Sequence, residues 1–370
     1  MKNKILIIFL IIIVISLAVS NVYFINKSEN KVLEEKEENN GSMAIMVETE
    51  SGAGNYEPSE DSAWPSEGYE YNEKMTQCTD MNGEIIENAL TFTNGKVKVK
   101  SNKKLNCYLY FDKVVKLYNK IIQLDNISDT GLQQTFVSTD TLYRFSGISG
   151  NTGINNYICL GTTSKCESGS DNMYRIIGIE PSTGYVKVIK ETAINNSTTY
   201  KWNSSTGVIW NGSSLYYSTI KSYVEGLSIY TDKIVKNYTW NMGDIGSSSY
   251  ITTSSNVILY ESSGTQYTGA FGALSLTDYY LAYNADRNWY LSYDITTNWI
   301  GLYLNGNTSE GEWTMSRYSN IHAWLVDFSG TVSHTDMNLR SCAVRPTFFL
   351  KETVELKDGT GTNTDPFIIN

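Results

Sequence analysis

The stretch "MYRIIGIEPSTGYVKVIKE", residues 173–191, consists of two strand-like runs separated by a turn. Its centre, Pro-Ser-Thr-Gly at 181–184, is made of residue types that favour tight turns. The runs on either side are rich in Ile, Val and Tyr, which are enriched in strands, and Val186 and Val188 alternate with lysine in the second run. The stretch therefore predicts a β-hairpin.

The composition of the whole chain also favours strands. Its 370 residues include 27 Tyr and 28 Gly but only 5 Pro. Frequent Tyr, Thr, Asn and Gly are typical of strands joined by many turns, so we predict a mainly β (α+β) fold with helix in the minority. The 29 Lys and Arg against 39 Asp and Glu give a net charge of −10. This excess of acid argues against nucleic acid as a partner, because binding to phosphate needs clustered basic side chains.

The N-terminus, residues 1–25, predicts a transmembrane signal anchor. Lys2 and Lys4 precede an apolar run of about 21 residues, which as a helix is roughly 31 Å long and matches the bilayer core. The basic residues favour keeping that end in the cytoplasm, so the body of the protein is exported. The alternative is a signal peptide cleaved after Ser20, which would make the protein secreted. Both alternatives predict an extracytoplasmic body.

A polar spacer, residues 26–42, and a small antiparallel β domain, residues 43–112, are predicted to follow. In the domain, "ALTFTNGKVKVK" (89–100) predicts a hairpin around Asn94-Gly95, the pair that best fits a type I′ turn. The run "CYLYFDK" then predicts a third strand, since alternate apolar residues would face a core.

The cysteines predict two disulfide bonds. Cys78 and Cys107 are the only cysteines of the small domain, and a bridge between them would close a loop of about 30 residues and contribute about 3.6 kcal/mol. Two free buried thiols are the alternative. Cys159 and Cys166 bracket a short loop, and a bridge there would contribute about 2.5 kcal/mol. Cys342 is left over.

Residues 113–139 are predicted to form a helical connector. In "KVVKLYNKIIQL" (113–124) the apolar residues fall at helical spacing with three lysines opposite. The second domain, residues 140–370, contains the 173–191 hairpin. Its Asn-, Ser- and Tyr-rich part, residues 195–270, predicts long loops and short strands.

The segment "EGEWTMSRYSNIHAWLVDFSGTVSHTDMNLRSCAVRPTFFLK" (310–351) resembles the end of an uncharacterised group of bacterial surface proteins. The terminal domain of that group is similar to the C-type-lectin-like fold of the formylglycine-generating-enzyme type. The chain shows further landmarks of the group in order: "LYRFSG", "NNYICLG", "YRIIGIE", "NYTWNMGD", "LSLTDYYLAY" and "DGTGTNTDPFIIN". The resemblance covers about residues 140–370 and implies a C-type-lectin-like domain behind an N-terminal membrane segment.

The resemblance implies that the last strands return to a central sheet. The hairpin 324–333 and the strand 344–350 would supply them. Pro346 would lie at a bulge, a strand start or an edge, because it cannot donate a ladder hydrogen bond. Arg345 would then lie near the rim of the sheet.

The segments 317–322 and 333–341 would protrude as neighbouring loops and form a ligand-binding surface. Aromatic and arginine side chains mixed with asparagine are typical of recognition surfaces. The predicted binding residues are Arg317, Tyr318, Asn320, His322, His334, Asp336, Asn338 and Arg340. Trp313 and Trp324 are expected in the core.

We therefore predict a membrane-anchored extracytoplasmic binding or adhesion protein that recognises a glycan or a host or bacterial surface protein. A degenerate or uncharacterised enzyme of the formylglycine-generating type is one alternative, but Cys342 has no cysteine nearby in the sequence to complete a thiol pair. A structural envelope protein is another. His322 and His334 lack the helical spacing of metal ligands, so we predict no metal and no cofactor.

Overall fold

The computed structural model describes most of the chain after residue 40. The described residues are 41–60, 64, 66, 68–93, 96–124, 132–137, 140–147, 154–195, 198–207, 209–227, 232–243, 254–282, 298–302 and 310–369. They are mainly β, as the composition predicts, and divide into two compact units, one ending at Lys113 and the next starting at Val114. None of the helices within these ranges is long and apolar enough to cross a bilayer. The predicted membrane anchor and nearly all of the predicted spacer lie outside them.

The described part of the first unit contains six strands. They are β1 (Ser42–Glu48), β2 (Tyr56–Pro58), β3 (Tyr69–Asp80), β4 (Leu90–Thr93), β5 (Lys96–Val99) and β6 (Leu105–Lys113). Four of them form a sheet in the order β2-β1-β6-β3, and β4 pairs with β5 as a separate hairpin. The predicted turn residues, 94 and 95, lie outside the described residues.

Strand β6 is the buried centre of this unit. Leu105, Cys107, Leu109 and Phe111 are each at most 5% exposed, which confirms the alternation expected for that strand. Strand β6 pairs with β1 and β3 and not with the β4–β5 hairpin. The β1–β6 pair is parallel, so the expectation of a purely antiparallel domain is wrong. A central strand needs two neighbours, and β1 and β3 are the strands that flank it.

Cys78 on β3 lies directly opposite Cys107 on β6, and the two sulfurs are at bonding distance. The sulfurs of Cys159 and Cys166 are also at bonding distance, across a separation of seven residues. Both predicted pairs are thus brought together, each within a single unit.

Replacing both Cys78 and Cys107 with serine is expected to destabilise the first unit by about 3.6 kcal/mol, because the unfolded chain regains the entropy of an open loop of about 30 residues. Replacing Cys159 and Cys166 should cost the second unit about 2.5 kcal/mol. Urea unfolding under oxidising conditions measures both values. Equal stability of the parent and the first variant would contradict the bridge.

The second unit is larger. Its helices are α1 (Leu117–Gln123), a short 3₁₀ helix (Trp210–Gly212), a π-helical stretch (Leu215–Ile220), α2 (Lys221–Glu225), α3 (Ser254–Ser262), α4 (Leu276–Leu281) and α5 (Trp299–Leu302). Its first strands are β7 (Val115–Lys116), β8 (Leu132–Val137), β9 (Asp140–Phe145), β10 (Tyr157–Cys159), β11 (Met173–Glu180), β12 (Tyr185–Lys190) and β13 (Tyr200–Lys201). The later strands are β14 (Tyr238–Asn241), β15 (Gln266–Gly269), β16 (Phe271–Gly272), β17 (Glu312–Arg317), β18 (His322–Val326), β19 (Val332–Asp336), β20 (Ser341–Cys342), β21 (Thr347–Leu350), β22 (Glu355–Asp358) and β23 (Phe367–Ile369).

The centre of the second unit is a sheet that contains the predicted 173–191 hairpin as β11 and β12. Within the described ranges the sheet has ten strands, in the order β16-β21-β12-β11-β10-β23-β22-β7, with β9 paired to β11 and β8 to β9. Every residue of β11 is buried, because both faces of the sheet are covered. The final strand β23 pairs with β10, so the end of the chain does return to the central sheet.

Several sequence expectations for this unit need correction. The predicted helix over 113–124 is shorter, since Lys113 ends β6 and residues 115–116 form β7. The 195–270 segment contains helices as well as loops, among them α2 and α3. Their buried apolar residues, such as Val224 and Val257, explain why these polar-rich stretches fold.

The end of the chain is divided between two sheets. Strand β21 joins the central sheet beside β12, and Pro346 lies directly before it, at one of the positions expected for a proline. Strands β17, β18 and β19 form a separate three-stranded sheet, so the 324–333 hairpin does not join the central sheet as expected. Arg345 is 1% exposed and not at a rim, because it pairs with buried Glu312.

Candidate functional site

The β18–β19 hairpin is shaped by the turn between its strands. Asp327 accepts hydrogen bonds through Oδ1 from the backbone N–H groups of Ser329 and Thr331. Gly330 has a φ of +83°, a left-handed conformation that favours glycine. The turn aligns Trp324 opposite His334 and His322 opposite Asp336. Directly opposed residues of antiparallel strands project from the same face of a sheet, so these four side chains share one face.

Tyr318, His322 and His334 together form an aromatic surface on this sheet, called here the Tyr-His surface. The ring of Tyr318 stacks on that of His334, with centroids 3.6 Å apart and planes within 7°. The ring centroids of the two histidines are 5.3 Å apart. Tyr318 and His322 are half-buried and His334 is exposed. The surface therefore presents stacked rings to solvent.

Trp324 forms the base beneath these rings. Its side chain is 5% exposed and meets Tyr318 edge-on at 5.1 Å. The indole Nε1–H donates to the hydroxyl of Tyr260, and that hydroxyl donates to the carbonyl of Arg317. Trp324 and Trp313, which is fully buried, are both core residues, as the sequence analysis expects. Trp324 holds the Tyr-His surface in place from below.

The electrostatics of the surface favour the neutral form of His334. Partial burial, together with the charge of His322, lowers the pKa of His334 below its ordinary value of 6.5. A neutral imidazole has one donor and one acceptor, which suits hydroxyl groups of a ligand. His334 therefore presents a neutral aromatic ring with polar edges at neutral pH.

Acid is expected to destabilise the protein through His334. Because folding lowers its pKa, the stability linked to the neutral ring is present above pH 6.5 and is lost as the pH falls from 6.5 through the lower folded-state pKa. The variant His334→Gln should therefore show a flatter dependence of the free energy of unfolding on pH between about 7 and 5. Urea unfolding at several pH values measures this, and identical slopes for parent and variant would contradict it.

The other predicted binding residues are distributed around the surface. Asn320 is exposed, and its carbonyl accepts from the N–H of Gly207. Asp336 receives the N–H of half-buried Asn338 on Oδ1. Arg317, half-buried, ends β17 and pairs with Ala323.

Arg340 is held by a different partner. Its guanidinium is 3.2 Å from the carbonyl oxygen of Glu310 and 3.7 Å from the carboxylate of the same residue. The expectation that 333–341 is one protruding loop is also wrong, since β19 extends to Asp336. Three predicted residues, Tyr318, His322 and His334, are the ones that the structure brings into ring contact.

The groups considered for catalysis lie elsewhere. Cys342 is fully buried, and burial raises the pKa of its thiol to about 12 in spite of nearby Arg340. A thiol in that state is a weak nucleophile at neutral pH. Within the described ranges, no three His, Cys, Asp or Glu side chains are grouped so that they could hold a metal ion.

A cluster of buried charges on the central sheet was missed by sequence reasoning. Asp278 receives Arg144 Nε at 3.2 Å and Lys187 Nζ at 2.6 Å, and all three side chains are at most 7% exposed. Burial alone would raise the pKa of Asp278, but the two cations and the Ser275 hydroxyl together hold it below its ordinary value. In β12 lysine alternates with valine, a pattern typical of a strand with one solvent-exposed face. That pattern does not indicate that Lys187 pairs with a buried carboxylate.

Gly178 is the signal that could have revealed the cluster. Arg144 and Lys187 are the cross-strand neighbours of Gly178 on its two sides. A Cβ at Gly178 would lie 1.9 Å from the carbonyl oxygen of Tyr143 and 2.9 Å from Cδ of Arg144. A glycine inside a strand often marks such a close approach.

Comparisons of the chain with protein-family models, with curated proteins and with solved structures found no match in any of the three.

Proposed function

We propose that this protein is an extracytoplasmic binding protein that recognises a glycan through the Tyr-His surface. The observation that carries the proposal is the stack of Tyr318 on exposed His334, supported from below by Trp324. Pre-ordered aromatic rings with polar edges suit a sugar, because its C–H face packs on a ring while its hydroxyls bond to the edges. A ligand meeting such a platform loses little side-chain entropy in the protein.

The proposed location is the cell membrane, with residues 1–25 as the anchor and the body outside the cytoplasm. The two disulfides support an oxidising compartment, since such bonds are rare in the cytosol. Membrane fractionation and N-terminal sequencing of the native protein test this. A mature chain that starts just after Ser20 would show secretion, and a chain recovered with its cysteines reduced from the cytosol would contradict both alternatives.

The proposed fold of the second unit is C-type-lectin-like, as the motifs of 310–351 imply. The return of the last strand β23 to the central sheet supports it. The glycan proposal does not depend on that relationship, because it is argued from the ring geometry alone.

Tyr318→Ala is expected to weaken glycan binding about tenfold, since a stacked ring contributes roughly 1.4 kcal/mol. The ligand would first be found by screening the full-length protein on a glycan array, and its affinity would then be measured by calorimetry. Tyr217→Ala is the matched control, because Tyr217 is 61% exposed and lies outside the surface. Equal affinities of the two variants would contradict the proposed site.

A protein ligand is the second candidate supported by the same surface. Exposed His334 with half-buried Tyr318 and Arg317 nearby resembles the centre of a protein interface. Capture of an unglycosylated surface protein, together with a silent glycan array, would reassign the ligand class. Binding that is lost in Tyr318→Ala would still place that partner on the Tyr-His surface.

A further inference from the structure

The buried charges on the central sheet line a pocket of about 150 Å³ in the second unit. Arg144, Glu180 and Lys187 come from the sheet, and Glu261 and Asp278 come from α3 and α4. Tyr238 and Trp240 of β14 also contribute to the lining. Exposed Ser182 and Asn241 lie at its mouth. This charged pocket shares no residue with the Tyr-His surface.

The lining carries charges of both signs. Arg144 and Lys187 oppose Asp278 and Glu180, with Arg144 3.7 Å from Glu180. Glu261 already accepts hydrogen bonds from the N–H groups of Leu276 and Thr277 at the start of α4. It also accepts one from the hydroxyl of Ser316. The lining thus holds two cations and three carboxylates, and this excess of one negative charge disfavours an anionic ligand.

Two of the charged groups retain hydrogen-bonding capacity. Lys187 donates to Asp278 and lies 5.0 Å from the centre of the Trp240 ring. Among the described residues its ammonium has no other hydrogen-bond acceptor, although it carries three protons. Glu180 receives the Tyr238 hydroxyl on Oε1, which leaves Oε2 without a donor in the same part of the chain. The pocket thus offers a charged donor and a charged acceptor to the same ligand.

Size and shape limit what can occupy the pocket. A partly open pocket of about 150 Å³ has room for a six-membered ring, and the mouth near Ser182 and Asn241 leaves room for substituents. Hydroxyl groups both donate and accept, so they match Lys187 and Glu180 together, whereas a phosphate only accepts. A free amino acid is disfavoured as a ligand, because its ammonium and carboxylate groups would both have to be desolvated.

We propose that the charged pocket binds one ring of a neutral polyol, such as a single sugar unit. Lys187 donates to one hydroxyl, Glu180 accepts from another, and Tyr238 and Trp240 form the apolar side. With about twelve non-hydrogen atoms, such a ligand should bind with a dissociation constant on the order of 0.1–1 mM. The proposal is independent of the proposed function, because it concerns different residues.

The test is saturation-transfer NMR on the full-length protein with neutral monosaccharides, in a detergent whose headgroup contains no sugar. Glu180→Gln keeps an acceptor for Tyr238 but removes the charge, and we expect it to weaken sugar binding about tenfold. Ser182→Trp should block the mouth and abolish the signal without touching the buried charges. Ser204→Trp is its control, since Ser204 is exposed and lies outside the pocket lining.

The expected result is a saturable sugar signal in the parent, in Ser204→Trp and in Tyr318→Ala, which separates this site from the Tyr-His surface. Three results would overturn the proposal. They are the absence of signal from every neutral sugar, a signal unchanged in both Glu180→Gln and Ser182→Trp, and preferential binding of inorganic phosphate or of free amino acids. Circular dichroism of each variant confirms that it is folded.

Discussion

The variant Asp278→Asn is expected to lose about 3–5 kcal/mol of folding stability, because it breaks a buried ion pair and leaves its partners uncompensated. In the parent this carboxylate receives both Arg144 and Lys187, and none of the three side chains is more than 7% exposed. An amide has the same shape but no charge. Two buried cations would then lie beside a dipole instead of an anion.

The matched control for this loss is Glu225→Gln. It removes a carboxylate from the exposed pair of Lys221 and Glu225, whose charged atoms are 3.9 Å apart. Exposed pairs of this kind contribute about 0.3–0.5 kcal/mol. Urea unfolding of both variants at neutral pH makes the comparison, and similar losses in the two would contradict the role given to Asp278.

Acid provides a second readout on Asp278. Its folded pKa lies below the ordinary value of 3.8, so its contribution to stability is present above pH 3.8 and is lost as the pH falls through the folded pKa. The difference in stability between the parent and Asp278→Asn should therefore shrink below pH 3.8. A difference that stays constant would show that charge is not its cause.

The variant Glu312→Gln is expected to cost a similar 3–5 kcal/mol. Arg345 donates to Glu312 through Nε at 2.9 Å and through a terminal nitrogen at 2.7 Å, which is a bidentate pair. The side chains are 1% and 0% exposed. Since Arg345 precedes β21 and Glu312 begins β17, the pair connects the central sheet to the sheet that carries the Tyr-His surface.

The same chain offers a control of the same chemistry. Glu310→Gln acts on the exposed pair with Arg340 and should change the free energy of unfolding by less than about 1 kcal/mol. We further expect Glu312→Gln to weaken ligand binding at the Tyr-His surface, because the three-stranded sheet loses its anchor. Unchanged stability in Glu312→Gln would contradict the role of the buried pair.

Local sequence patterns predicted the structural elements that are determined by residues close together in the chain. The 173–191 hairpin follows from a Pro-Ser-Thr-Gly turn between β-branched runs, and both cysteine pairs follow from their proximity or isolation in the chain. The buried alternation of β6 was also readable, because its period of two does not depend on which strands flank it.

Strand partners and buried charges depended on distant contacts. Nothing near β6 in the sequence indicates that it pairs in parallel with β1, more than sixty positions earlier. Arg144 and Asp278 are 134 positions apart, and their attraction exists only after the sheet and α4 have assembled. Gly178 in "RIIGIE" is the one local sign of the close approach in this cluster, but a glycine alone does not identify which residues approach it.

The predicted binding residues show the same division. His322 and His334 come together because a short turn and a hairpin align them, and a hairpin was readable in the sequence. Tyr318 precedes that hairpin and stacks on His334. Arg340 is held by Glu310, and no spacing rule connects those two positions. The roles of Tyr260 and Glu261 of α3 were not predicted either. The hydroxyl of Tyr260 accepts a hydrogen bond from Trp324, whereas the adjacent Glu261 lines the charged pocket.

The most direct test of the glycan-binding role is an NMR titration of the histidine rings. The chain contains only two histidines, so selective ¹⁵N labelling of histidine yields one ring spectrum for each. Addition of the glycan selected by the array should shift the ring signals of His322 and His334 together and saturate at the calorimetric affinity. Saturating ligand that leaves both ring spectra unchanged would contradict the Tyr-His surface as the binding site.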